Sequence, residues 1–266
     1  MLTPHELWWG PVNGHQVPLA TAGGPRTFMT CTGDGDPTCG QQADALADPQ
    51  GRHLPNLMAR LGLPPDQEVV GACFSAGGSA WKRILVSPQD RQQVRALHLA
   101  DGTYTHWQDG APAPAEGFVL YGLDALAGDR LFVATASASP NRDLPNGVQS
   151  LLAIEQEITR RSGVAFQDVE APPGMPPAAR VATAGGVMFM YYPEVPHGEQ
   201  VTRLGPLAWQ HVIAPWLAGV RPAGPAPSAG VPATAEAHED ALVLAAVAVA
   251  GAAVAYAIVR ALGGRA

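Results

Sequence analysis

Lysine is almost absent from this chain: Lys82 is the only one in 266 residues, and Lys plus Arg total 16 against 23 Asp plus Glu. The resulting net charge of -7 argues against nucleic acid as a partner, because phosphate recognition needs a basic surface. Cysteine is also scarce. Cys31 and Cys39 are close enough in sequence to close a short disulfide, and Cys73 is left over. Neither Cys-x-x-Cys nor His-Glu-x-x-His spacing occurs, so no metal site is expected. The phosphate-cradling patterns Gly-x-x-x-x-Gly-Lys-[Ser/Thr] and Gly-x-Gly-x-x-Gly are missing too, which removes the usual signals for nucleotide binding. The first ten residues lack a basic stretch followed by an apolar core, so a secretory signal peptide is not expected there.

What the chain does have is apolar side chains, 47% hydrophobic against 15% charged, enough to bury a substantial core. Three zones follow from composition: a globular domain over 1–219, a Pro/Ala-rich linker over 220–240, and an apolar segment over 241–262. In the linker, Pro222, Pro225, Pro227 and Pro232 forbid a helix and favour an extended spacer. From Ala241 to Val259 there is no charged residue, a run about as long as a bilayer-spanning helix requires. Leu242, Leu244, Val247, Val254 and Ile258 are spread around such a helix, so a transmembrane anchor is expected rather than a helix packed on a partner protein. Gly251 among alanines permits close helix–helix approach, a pointer to a homo-oligomer. Arg260 and Arg265 after the span place the tail in the cytoplasm by charge, whereas the missing signal peptide favours the opposite orientation.

Within the globular zone, apolar runs predict strands over 26–31, 68–74, 94–100, 130–136 and 187–192. Helical spacing predicts helices over 54–61, 77–86, 148–162 and 207–217, with a loop-rich stretch over 103–128 that reads as a cap. Strands alternating with helices predict an α/β fold, a doubly wound and mostly parallel sheet. In such sheets chemistry gathers at the carboxyl ends of the strands.

Three polar residues stand at those ends. Ser75 follows the strand Glu68–Phe74 in Cys73-Phe74-Ser75-Ala76-Gly77-Gly78, with small residues on both flanks, as a sharp strand–turn–helix corner demands. Asp101 closes His98-Leu99-Ala100-Asp101-Gly102, and His197 follows the last strand in Pro196-His197-Gly198-Glu199. Taken alone, each has a plainer reading: a packing or phosphate-binding βα turn, a turn-capping aspartate and a surface-loop histidine. Of the other histidines, His5, His15 and His53 precede the corner, His98 lies in a strand and His238 in the linker. His106 and His211 do not directly follow a strand.

Together, in the order serine, acid, histidine, residues from about 26 to 217 resemble the α/β-hydrolase superfamily. One position departs from its Gly-x-Ser-x-Gly pattern, since Cys73 stands where the first glycine belongs. The resemblance implies a cofactor-free serine hydrolase that cleaves an ester, as carboxylesterases and lipases do, by a Ser-Asp-His triad and an acyl-enzyme. Ser75 is then the nucleophile and His197 the base. Asp101, directly at a strand end, is the favoured acid, and Asp143 in the loop after the following strand is the alternative. The oxyanion hole falls to the N–H of Ala76 and one from Thr32 or Gly33. Trp107, Phe118 and Tyr121 would form an apolar cap suited to a lipid-like ester. A second class remains open, a catalytically inactive hydrolase scaffold acting as a membrane-anchored structural or interaction protein.

Overall fold

A computed structural model describes residues 4–11, 26–31, 38–141 and 143–220. Nearly all of the predicted linker and the whole of the predicted anchor lie outside the described residues, as do Thr32 and Gly33. Among the described residues no helix is long and apolar enough to cross a membrane.

The frame is a mixed α/β fold on an eight-stranded sheet. Its first strand, β1 (His5–Pro11), pairs in parallel with both β2 (Arg26–Cys31) and β3 (Val69–Phe74). Sequence reading placed no strand before Arg26, because His-Glu-Leu-Trp-Trp-Gly-Pro shows neither alternation nor a β-branched run. The strand forms because it is interior: Leu7, Trp8 and Trp9 are all buried, so both faces must be apolar. The order continues through β4 (Val94–Ala100), β7 (Leu131–Ala136) and β10 (Val187–Tyr191), all parallel. Two strands not foreseen, β8 (Gln167–Asp168) and β9 (Arg180–Ala184), extend that side in antiparallel register. The full order is β2-β1-β3-β4-β7-β10-β9-β8, so the winding direction reverses between β1 and β3. The crevice outside that switch point is where such sheets place a ligand.

Helices follow local chemistry. Thr38 and Gln41 form a capping box at α1 (Cys39–Asp44). Helix α2 (Leu54–Arg60) has no cap of its own; buried Asp90 of α4 (Pro88–Gln93) takes the N–H groups of His53 and Leu54 at 2.7 and 3.1 Å instead. The predicted 77–86 helix begins as a 3-10 turn over Ser75–Gly77 and becomes α3 (Gly78–Ile84). Helix α6 (Gly147–Ser162) opens on an Asn146–Gln149 capping box and stops at Gly163, φ +71°. The chain from His197 to Leu217 is helical throughout, α7 (His197–Glu199), α8 (Gly205–Ala208) and α9 (Ala214–Leu217) being joined by π-helical turns.

The stretch 103–128 corrects the cap expectation. It forms a short hairpin, β5 (Trp107–Gln108) with β6 (Ala111–Pro112), and then α5 (Glu116–Ala125). Asp109 and Gly110 at its tip both have positive φ, the backbone a tight hairpin turn requires. Phe118 and Tyr121 are core residues with no exposure, packed edge-on or tilted against Phe132; of the three aromatics only Trp107 is exposed. Phe118, Tyr121, Gly122 and Ala125 stand at the spacing of a buried helix face, which outweighed the surrounding glycines and prolines.

Alternation along β7 separates two cores. Phe132, Ala134 and Ala136 join a cluster with Trp9, Trp81, Phe118 and Ile154, while Leu131 and Val133 join Met188, Trp209, Ile213 and Trp216. Cys31 and Cys39 are joined by a disulfide. Closing a loop this short is worth about 2.5 kcal/mol in chain entropy.

Candidate functional site

Ser75 sits where the chain leaves β3. Phe74 is extended (φ -129°, ψ 140°), and Ser75 itself has φ +52°, a left-handed conformation that costs a non-glycine residue about 1–2 kcal/mol. The strain is held by tight backbone packing around the turn. A Cβ on Gly77 would lie 2.2 Å from the carbonyl oxygen of Trp9, and one on Gly78 would lie 1.7 Å from that of Gly102. Both glycines are therefore steric necessities. They bring β1, the β3 corner and the end of β4 into direct contact.

Cys73, the residue that breaks the glycine pattern, is fully buried, and burial pushes its thiol pKa up. Its sulfur has room because Gly102 carries no side chain: a Cβ there would come within 2.6 Å of Cys73 Sγ. The missing glycine in one strand end is thus matched by a glycine in the next.

Asp101 directly follows β4, with φ +47° and no solvent exposure. Its Oδ1 accepts the Ser137 N–H at 3.0 Å, and its Oδ2 accepts the Ser137 hydroxyl, the Tyr104 hydroxyl at 3.3 Å and His197 Nδ1 at 2.7 Å. Such a set of donors satisfies the oxygens of a fully buried carboxyl group. Gly147 is required beside it, since a Cβ there would meet Oδ1 at 1.9 Å.

His197 is the first residue of α7, its N–H donating to Ser139 Oγ at 3.1 Å. Its ring stacks on Phe74, with centroids 4.5 Å apart and planes 26° apart, and meets Tyr104 edge-on at 5.7 Å. A carboxylate can only accept, so the Asp101 bond places the proton on Nδ1 and leaves the Nε2 lone pair free to act as a base. The side chain remains 31% exposed, and Ser75 is half-buried. The site is therefore open to a reactant.

The structure thus brings Asp101 and His197 into contact, with His197 lying on the residue that precedes Ser75. Asp143 is exposed on its loop, and the carboxylate in contact with His197 is that of Asp101. Ala76 is half-buried in the turn after Ser75. Thr32 and Gly33 fall outside the described residues. Among those described, no group of His, Cys, Asp and Glu is arranged to hold a metal ion.

Sequence reasoning did not single out Phe74, Tyr104, Ser137, Ser139 or Gly147. Ser137, first residue after β7, was open to discovery by the same strand-end argument. Tyr104 was not, because nothing local marks a tyrosine four residues past a strand as the neighbour of a histidine 93 positions away. Burial first, and then the charge of Asp101, raise the Tyr104 phenol pKa and keep it a donor. No family model, curated protein or solved structure matches this chain.

Proposed function

We propose that this protein is a serine hydrolase of the α/β-hydrolase type, cleaving a carboxylic ester through an acyl-enzyme. The observation that carries the reading is the Asp101–His197 pair at 2.7 Å, its imidazole stacked on Phe74, the residue before a serine held at φ +52°. A strained serine corner exposes its hydroxyl, and an oriented imidazole supplies the base it needs.

In this mechanism His197 Nε2 takes the Ser75 Oγ proton as Oγ attacks the carbonyl carbon. The oxyanion is received by the Ala76 N–H and a second N–H from Thr32 or Gly33. Collapse expels the alcohol, which leaves with the proton held on His197. Water then repeats the sequence: His197 takes its proton, the acid departs, and Ser75 regains its hydrogen. Asp101 keeps the proton on Nδ1 and stabilises the imidazolium without itself becoming protonated. No cofactor enters any step.

A fluorophosphonate probe tests this directly. The folded wild type should be labelled and Ser75→Ala should not. A folded wild type that resists labelling would overturn the hydrolase reading and leave the inactive, membrane-anchored scaffold in its place.

Residues 241–262 are the proposed single transmembrane anchor, joined to the domain by the linker 220–240, which suits a lipid-like ester substrate. The full chain should partition into the detergent phase on cloud-point separation, and a chain ending at Gly219 should stay in the aqueous phase. Identical partitioning of the two would refute the anchor.

A further inference from the structure

The imidazole of His197 touches two aromatic side chains whose electronic effects on it differ in sign. The face of Phe74 lies against it at a centroid distance of 4.5 Å, nearly parallel. A ring face carries negative quadrupole density, so it attracts an imidazolium far more than a neutral imidazole. Tyr104 acts through its hydroxyl, which is 3.0 Å from His197 Nδ1 and 3.3 Å from Asp101 Oδ2. Since Nδ1–H already donates to Asp101, the phenol donates to the same carboxylate oxygen and draws charge from it. That weakens the hold of Asp101 on an imidazolium.

We propose that Phe74 and Tyr104 are positioning residues that clamp His197 and set its proton affinity in opposite senses, Phe74 raising it and Tyr104 lowering it. The inference rests on the hydrolase reading for its purpose, a base strong enough to take the serine proton yet able to return it to the leaving alcohol. Its physical content does not depend on turnover. Among the described residues, the titratable groups in contact with the ring are Asp101 and Tyr104. On its own helical segment Glu199 is turned to Arg203 at 3.3 Å, an arrangement that neither substitution alters. Asp101 also keeps its place without the phenol, because Ser137 holds it through both its N–H and its hydroxyl.

The test uses the full chain carrying Tyr104→Phe or Phe74→Leu, with Phe74→Met as a second variant should leucine fail to fold. NMR titration of the His197 ring gives the proton affinity whether or not the protein turns over. The pH profile of kcat/KM on a p-nitrophenyl ester gives its kinetic counterpart. Phe74→Leu should lower the midpoint, and Tyr104→Phe should raise it, each by about half a pH unit. In both, kcat should fall about three- to tenfold with KM nearly unchanged. Midpoints that stay put in both variants, or move in the same direction, would overturn the clamp. Opposite NMR shifts in a protein that neither labels nor turns over would uphold the clamp and overturn the hydrolase reading alone.

Discussion

On the proposed mechanism, substituting Asp101 by asparagine should lower kcat about 10⁴-fold while the protein stays folded. Asparagine fits the same space, and its carbonyl can still take the Ser137 N–H that Oδ1 now accepts at 3.0 Å. What it loses is the negative charge facing His197 Nδ1. An amide nitrogen turned toward the ring favours the tautomer with its proton on Nε2, which has no lone pair left for the serine proton. The result to compare is Asp143→Asn. Asp143 is exposed on the loop after β7, so its substitution should change kcat by less than about twofold. Steady-state kinetics on the two variants, with circular dichroism to establish folding, checks the assignment. The reverse outcome would make Asp143 the acid and reduce Asp101 to a buried structural carboxylate.

Acid should destabilise the domain before most carboxylates titrate, and His98 should account for most of the effect. This histidine lies within β4, 2% exposed, edge-on to Trp8, and its Nε2 has no hydrogen-bond partner among the described residues. Burial, aided by the charge of Arg26, pushes its pKa down from 6.5 to about 4. Between those two values the unfolded chain binds a proton that the folded chain refuses. The contribution is therefore fully present above pH 6.5 and is lost as the pH falls toward 4, amounting to about 3 kcal/mol. His5, whose pKa is also lowered by burial, adds a change of the same sign, so some slope should survive the removal of His98. Urea denaturation at pH 7 and pH 4.5 should show a large drop in midpoint for the wild type and a much smaller one for His98→Leu. Equal drops would mean that His98 is solvated or paired, contrary to its buried position.

Much of the frame was legible in the residues themselves. The runs that became β3, β4, β7 and β10 are mostly apolar, Arg95 and His98 of β4 and Thr135 of β7 being the polar members, because strands inside a parallel sheet are buried on both faces. The helix predicted over 148–162 was equally plain from its amphipathic spacing, and the structure starts it one residue earlier, at Gly147, behind an Asn146–Gln149 capping box. The order Ser75, Asp101, His197 after β3, β4 and β10 is likewise a property of the chain alone.

Other features depended on contacts between distant segments. Seven residues, His5–Pro11, carry no strand pattern of their own, yet they occupy the centre of one half of the sheet because two flanking strands offer them partners. Phe118 and Tyr121 looked like cap residues until a helix turned them toward Phe132. The break in the serine motif could be judged only in three dimensions, where Gly102 vacates the volume that the Cys73 sulfur fills.

By itself, then, the sequence determined the layered α/β frame and the chain positions of a serine, an aspartate and a histidine, because periodicity, capping and strand ends are local properties. Only the tertiary structure decided which carboxylate meets His197, which rings enclose it, and why a cysteine is tolerated two residues before Ser75. Those are questions of distance between segments far apart in the chain, and packing alone sets such distances.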